Sequence, residues 1–288
     1  MRTWVCVFRA FNGSHFARNV GIMRLGTFLP TSTPDPQRPI LGDVGAAARF
    51  AEEVGLDSVW STDHLVASAP ILESSVTLAT AAAVTERIHI GYGVLLLALR
   101  PAAWAAKQVS ALQYVSGDRL LLGVGTGNPA HGDIGWRAAG LPFADRGRRT
   151  DENLRVLPDL IAGRPAVLPD GTEVTLAPGA TVPPILVAGD GPRARRRAAE
   201  FADGWLAIGL APQEVATATK ELSEFAASFG RATPTVSVVT PLPADLGEAR
   251  DLFDAYTEAG VDHLLTAPHD ADWHRGYEFV AAIRTGGR

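Results

Sequence analysis

One stretch organises the rest of this chain: residues 117–128, which read GDRLLLGVGTGN. Its apolar centre is bounded by glycines, a pattern typical of a strand buried on both faces of a parallel sheet. Gly125 and Gly127 have no Cβ, so the backbone there can turn sharply or approach a ligand closely. Thr126 and Asn128 bring polar groups to the end of the strand, where parallel α/β folds place their chemistry. An ordinary strand and turn would show the same pattern, and the neighbouring segments decide between the two.

The composition excludes several classes of protein. The chain has 288 residues, of which 47% are hydrophobic and 20% charged, as in a globular protein with a large core. Its net charge of −5 argues against a nucleic-acid partner, which a basic surface would attract. The single cysteine, Cys6, favours a reducing compartment, so we expect a cytoplasmic protein. No apolar run is long enough for a membrane-spanning helix, so we expect no membrane partner.

The first 22 residues differ from the rest of the chain. They contain three arginines and no acidic residue, and their aromatic side chains follow no clear periodicity. A transit peptide has a similar composition, but we favour an upstream extension that precedes Met23. We therefore assign residues 1–22 to an extension outside the fold and residues 23–288 to one domain.

From Met23 onward, strand-like and helix-like patterns alternate without a break. The predicted strands are 25–29, 57–62, 89–97, the strand within 117–128, 185–188, 205–208, 235–239 and 261–266. The predicted helices are 43–54, 74–85, 102–115, 146–162, 192–202, 212–229, 246–259 and 273–284. Asp170 and Gly171 add a hairpin signal between the fourth helix and the fifth strand. Eight βα units predict a single-domain α/β fold of the (β/α)8 TIM-barrel type, with a doubly wound sheet as the alternative.

Barrel enzymes carry their functional residues just after the strands, which allows several chemistries to be tested. Schiff-base chemistry needs a lysine there, but Lys107 and Lys220 both fall inside predicted helices. Glycoside hydrolysis needs a facing pair of carboxylates, whereas the fourth strand ends in Asn128. The residues that remain suit a large planar cofactor held by backbone and apolar walls.

A metal site is the other chemistry to be tested. Several candidate ligands lie near predicted strand ends, namely Asp63, His64, His269, Asp270 and Asp272. No close histidine pair follows the first strand, so we expect no metal.

Five segments in order resemble the luciferase-like monooxygenase superfamily, in its branch of coenzyme F420-dependent oxidoreductases. They are SVWSTDH (58–64), IGYGV (90–94) with Leu99 and Arg100, LGVGTG (122–127), RGRRTDE (146–152), and PILVAG (184–189) through ADGW (202–205). Together they span almost all of residues 23–266. The superfamily pattern is more specific here than the pattern of the branch.

The resemblance implies a role for each segment. Asp63 and His64 would lie near the reactive face of a deazaflavin or flavin ring, and both are expected to be catalytic. In some F420-dependent relatives the histidine is catalytic. A structural hydrogen bond that orients the loop is the alternative for His64. Gly93 and Val94 match the place where relatives carry a cis peptide bond behind the ring.

The strand-end loops complete the implied cofactor site. Gly125, Thr126 and Gly127 would line the other edge of the ring, and Asn128 is included among the cofactor-binding residues. In sugar-phosphate dehydrogenases of the superfamily, a proton-transferring glutamate follows this Gly-Thr-Gly loop. Asn128 stands at that position here and cannot exchange a proton near neutral pH, so neither that substrate nor that mechanism is carried over.

A phosphate site is expected before the fifth helix. Gly189, Asp190 and Gly191 precede that helix, whose free N–H groups and dipole favour a phosphate group. Arg193 adds a positive charge at the same place.

The residues and the resemblance together predict an oxidoreductase that transfers a hydride between F420 and an unidentified small organic substrate. An FMN-dependent monooxygenase of the same fold is the first alternative, and a flavin-binding barrel without turnover is the second. The substrate would contact the loops 30–39, 129–143 and 268–273, which contain Trp136, Phe143 and Trp273. A homodimer, common in the superfamily, is a state that the resemblance allows.

Overall fold

A computed structural model of the chain describes residues 22–32, 42–67, 69–268 and 272–284. The extension predicted for residues 1–22 lies outside these ranges except for its last residue, and it stays a prediction. His269 and Asp270 also lie outside them, as do parts of the predicted substrate loops 30–39 and 268–273.

Eight parallel strands close into a barrel, in which each strand pairs with its neighbour and the last pairs with the first. In chain order the strands are β1 (Arg24–Phe28), β2 (Ser58–Ser61), β3 (His89–Leu96), β4 (Leu120–Gly125), β5 (Ala166–Val167), β6 (Glu173–Val174), β7 (Ile185–Ala188), β8 (Gly204–Ile208), β9 (Thr235–Val239) and β10 (His263–Thr266). Strands β5 and β6 form the predicted hairpin outside the barrel. The (β/α)8 barrel prediction is confirmed.

Helices surround the barrel and follow its strands. They are α1 (Val44–Glu53), α2 (Ser74–Val84), α3 (Ala102–Ser116), α4 (Ile134–Ala138), α5 (Arg146–Ile161), α6 (Pro192–Phe201), α7 (Pro212–Ser228), α8 (Leu246–Glu258) and α9 (Trp273–Ala282). All eight predicted helices are present, with ends that differ by a few residues. The short helix α4 was not predicted, because five residues are too few for a periodic pattern.

Strand β4 shows how the sequence positions the site. Its six residues are all buried. Leu120, Leu122 and Val124 belong to the large core between barrel and helices, whereas Leu121 belongs to a smaller cluster inside the barrel. This alternation follows from the two-residue period of a strand. It aims Gly125 into the barrel, where a Cβ would lie 2.5 Å from Cγ2 of Val94. Only glycine leaves room for Val94 to close the top of this inner cluster.

A buried histidine lies deeper in the barrel. His263 in β10 is fully buried, and its Nε2 lies 2.9 Å from the hydroxyl of Ser58 in β2. The indole N–H of Trp60 donates to the same hydroxyl at 2.7 Å. These contacts make His263 part of the core.

Candidate active site

A cavity of about 510 Å³ opens at the carboxyl ends of the barrel strands. Its walls are the ends of β2, β3, β4, β7 and β8 and the loops that follow them. Most residues predicted for the site line it: Asp63, His64, Gly93, Val94, Gly125, Thr126, Gly127, Asn128, Gly189 and Asp190. Gly191 and Arg193 are not in its lining. The cavity therefore brings together residues that four different strands supply.

The floor of the cavity is apolar. Val94 and Ala188 line it and also pack on the inner cluster of the barrel. Leu96 and Leu99 extend this surface along the end of β3. The peptide bond between Gly93 and Val94 is cis, as the resemblance implied. A flat apolar group can rest on such a floor without leaving polar atoms unpaired.

Asp63 is held by a dense set of hydrogen bonds. Arg100 donates to both carboxylate oxygens, at 2.6 and 2.8 Å. The backbone N–H of Leu96 donates at 2.9 Å, and the hydroxyl of Ser74 donates at 3.2 Å. The residue is only 5% exposed. Asp63 therefore ties the end of β2 to the end of β3 and to the start of α2.

Arg100 is the charge partner that makes this burial tolerable. Its guanidinium forms an ion pair with Asp63 and lies 3.6 Å from the carboxylate of Glu73. Burial by itself lowers the pKa of Arg100, but hydrogen bonding and the charge of Asp63 raise it above its ordinary value. The pair is a two-pronged contact of the kind that arginine forms best.

His64 lies next to this network, half-buried in the cavity wall. Its ring meets the ring of His131 edge to face, with centroids 5.3 Å apart. Burial lowers the pKa of His64 below its ordinary value, His131 acts in the same direction, and Asp63 opposes both. The imidazole is therefore biased towards its neutral form, which can accept a proton.

His131 was not among the predicted site residues. It lies in the loop after β4, in a short 3-10 turn over Pro129–His131. The side chain of Asn128 begins this turn by accepting a hydrogen bond from the N–H of Ala130 at 3.0 Å. Its position three residues after Asn128, at the predicted end of a strand, was a signal in the sequence. That signal did not indicate which residue His131 would contact.

Aromatic side chains stabilise the same loop. Trp136 in α4 is buried, and a Cβ on Gly127 would lie 3.3 Å from its ring. The Trp136 ring meets the ring of Phe143 edge to face at 5.9 Å, and the guanidinium of Arg146 lies over Phe143 at 3.9 Å. Packing of this kind holds the loop beside the cavity.

The ends of β7 and β8 form the opposite wall. Gly189 has a φ of +129°, and a Cβ there would lie 2.9 Å from that of Ala194, so glycine is required. The indole N–H of Trp205 donates to the carbonyl of Gly189 at 2.8 Å. The carboxylate of Asp190 accepts a hydrogen bond from the N–H of Ile208 at 2.7 Å. The two strand ends are therefore fixed to each other.

The predicted phosphate residues continue from this wall to the surface. Gly191 precedes α6 and is exposed, and a Cβ there would meet nothing within 4 Å. Pro192 begins the helix and has no N–H to offer. Arg193 is exposed at the second helical position. Phosphate binding at this helix end stays a prediction.

Two further observations bear on the class of protein. Within the described residues, no group of three or more His, Cys, Asp or Glu side chains is arranged to hold a metal ion. No helix in the same part of the chain is long and apolar enough to cross a membrane.

Comparison with known proteins places this geometry in a family. Residues 23–287 match the family model described as luciferase-like monooxygenase. The chain belongs to the luciferase-like monooxygenase family. Among solved structures, an F420-dependent secondary alcohol dehydrogenase with an F420-acetone adduct superposes with a TM-score of 0.78. It is 17% identical, and the match covers 92% of this chain and 99% of the other, so it supports the fold.

Two curated relatives share more of their sequence with this chain than the solved structure does. An uncharacterised protein of Mycobacterium tuberculosis is 36% identical over 170 residues, or 57% of this chain. An F420-dependent glucose-6-phosphate dehydrogenase of Beutenbergia cavernae is 33% identical over 207 residues, or 66% of this chain. The matches cover 58% and 60% of these relatives, which is less than two thirds of their length.

The described residues fit a flavin-like group. The cavity volume lies in the range of about 300–1,000 Å³ that is usual for small-molecule sites. The apolar floor at Val94 suits a planar ring, and the polar atoms of Thr126 and Asn128 stand at its rim. Among the described residues, the lining contains no lysine or arginine. Gly191 and Arg193 follow the lining residue Asp190 in the chain.

Proposed function

We propose that this protein is an oxidoreductase that transfers a hydride between coenzyme F420 and a small organic substrate in the cytoplasm. The observation that carries the proposal is an apolar floor with the half-buried His64 beside it in one cavity. The relative whose name states F420 dependence, at 33% identity, favours F420 over FMN. When bound, the deazaflavin would supply the carbon atom that accepts or donates the hydride.

In this proposal the cavity residues bind and orient the ring. Val94 supports one face of the ring, and the loop Gly125–Thr126–Gly127 borders it. Asn128 fixes the turn that follows, as its hydrogen bond to Ala130 indicates. The loop Gly189–Asp190–Gly191 and Arg193 would bind the phosphate.

His64 is proposed as the residue that moves a proton. Hydride transfer from a C–H bond leaves a proton to be removed from the substrate, and the reverse reaction needs one supplied. The depressed pKa of His64 keeps its imidazole neutral at neutral pH and ready to accept that proton.

Asp63 is assigned a different role from the catalytic one inferred from the sequence. Both of its oxygens accept hydrogen bonds from Arg100, and Leu96 and Ser74 also donate to it. We propose that Asp63 positions the His64 loop and does not exchange protons.

The family description favours a second candidate, an FMN-dependent monooxygenase. The same floor and rim would accept either ring system. Turnover measurements distinguish either enzyme from a flavin-binding barrel without turnover. Sedimentation of the purified protein tests separately whether it is a homodimer.

Cofactor titration tests the proposal. Purified protein is titrated with F420 and, separately, with FMN, and quenching of cofactor fluorescence gives each Kd. Tighter binding of F420, with an absorbance change on addition of substrate panels, is the expected result. Tighter binding of FMN, or oxygen consumption with reduced FMN, would assign the monooxygenase reaction. Cofactor binding without turnover under either condition would support the flavin-binding barrel that has no catalytic activity.

A further inference from the structure

The cavity lining contains four titratable side chains among the residues that the structure describes: Asp63, His64, His131 and Asp190. The carboxylate of Asp63 is enclosed by its donors, as described above. Asp190 lies on the opposite wall and accepts the N–H of Ile208. Histidine is the side chain whose unperturbed pKa lies nearest neutrality, so the two histidines are the groups suited to proton exchange.

The two histidines differ in their access to solvent. His64 is half-buried in the wall, whereas His131 is exposed at the rim. Their ring centroids are 5.3 Å apart, with an angle of 76° between the ring planes. A proton on the inner ring therefore lies close to a second imidazole that is exposed to solvent.

Packing between the two loops keeps this arrangement in place. Gly135 in α4 faces the loop after β2, since a Cβ there would lie 3.6 Å from the backbone nitrogen of Val66. Trp136 anchors α4 by its burial. Asn128 fixes the turn that carries His131. The approach of the two rings thus follows from contacts along both loops.

We propose that His64 and His131 form one proton-transfer pair, in which His131 exchanges with solvent the proton that His64 exchanges with the substrate. The proposal rests on the hydride-transfer function proposed above. In the oxidative direction, the substrate C–H bond breaks and its electron pair leaves with the hydride, for which bound F420 would be the acceptor. The O–H or N–H bond of the oxygen or nitrogen attached to that carbon also breaks; its electron pair completes the new C=O or C=N bond, and its proton passes to His64. His131 then carries that proton to water, and the reductive direction reverses each step.

The charged groups around His64 affect its pKa in opposite directions. His131 lowers the pKa of His64, and Asp63 opposes this effect. The charge of Asp63 is balanced by Arg100, which also lies near Glu73. Asp190 is the other carboxylate that the described part of the chain contributes to the lining. A proton on His131 therefore disfavours a proton on His64.

The first experiment needs no cofactor. The histidine ring protons of the protein are titrated by NMR in the wild type and in His131→Gln, His131→Phe and His64→Gln. Removing the His131 ring should raise the pKa of His64, since a competing positive charge is lost. Arg137→Ala, a change at an exposed side chain that does not line the cavity, is the control that should leave the titration of His64 unchanged. A His64 pKa that is the same in the wild type and in both His131 variants would overturn the proposal.

The second experiment measures turnover with F420 and a series of small secondary alcohols. Both His131 variants should lower kcat by about 10–100-fold, since a relay contributes less than the full acid–base effect of about 10²–10⁴-fold. They should leave the Kd for F420 unchanged, and added imidazole should restore part of the lost rate. A wild type that binds no F420 would count against the proposed function. Active wild type with unaffected His131 variants would overturn the pair alone.

Discussion

Replacing Arg100 by methionine tests whether the Asp63–Arg100 pair holds the site together. Methionine fills similar volume but removes the guanidinium that donates to both oxygens of Asp63. The carboxylate would keep the N–H of Leu96 and the hydroxyl of Ser74 as donors. The Asp63 carboxylate would lose its balancing positive charge although the residue is only 5% exposed to solvent.

The cost follows from this burial. Breaking a buried ion pair by removing one partner costs about 3–5 kcal/mol, because the other charge stays uncompensated. The Arg100 side chain is 19% exposed, and Asp63 keeps two donors, so the lower end, about 3 kcal/mol, applies. At about 2–4 °C per kcal/mol for a chain of this size, the Tm should fall by roughly 6–12 °C. Arg100→Lys should recover part of the loss, because it keeps the charge but not the two-pronged contact.

Urea denaturation of the wild type and the variants measures this cost directly. The matched control is Arg148→Met, which breaks ion pairs with Glu152 and Asp145 on the surface, where the side chain is 61% exposed. That variant should unfold at the wild-type midpoint, because exposed pairs contribute little. An Arg100→Met protein within about 0.5 kcal/mol of the wild type would refute the reasoning, since that is the range of ordinary surface changes.

Three further predictions follow from the site. His64→Ala should lower turnover by about 10²–10⁴-fold with little change in cofactor Kd, whereas Asn128→Ala should cost less; loss of cofactor binding in His64→Ala would make His64 a binding residue. Gly191→Val should weaken cofactor binding and leave the Tm unchanged, because a Cβ at this position meets nothing within 4 Å. Gly189→Val should lower the Tm, because a Cβ there would lie 2.9 Å from that of Ala194. If Gly191→Val binds the cofactor as tightly as the wild type, the phosphate binds elsewhere. Burial lowers the pKa of His64 and, further, of His263. As the pH is lowered, these two histidines are therefore protonated in the unfolded chain before they are protonated in the folded chain. Their contribution to the free energy of unfolding should be complete above about pH 6.5 and should decrease as the pH is lowered to about 5.5. Urea midpoints that do not change across this range would contradict the assignment.

Much of the fold could be predicted from local patterns. Strand β4 is apolar between glycines and proved buried along its whole length. Each helix carries an apolar face or an end signal, such as the side chain of Asp43 that caps α1 by accepting the N–H of Ala46. These signals lie within a few residues of one another, so a linear reading detects them.

The candidate site was predicted in part, for a related reason. Polar residues just after strands, such as His64 and Asn128, are expected at one end of a barrel, and they do line the cavity. Helix α4 was missed because its formation depends on burying Trp136, which a window of five residues does not show.

The sequence by itself therefore determined the barrel and the set of strand ends that carry polar groups. Only the tertiary structure decided how those groups are paired. It placed Arg100 on Asp63 across 37 positions of the chain, brought His131 against His64, and left Arg193 outside the cavity lining. The physical reason is that periodicity records which side of an element is buried, whereas a contact between two loops depends on strand register and packing around the closed barrel.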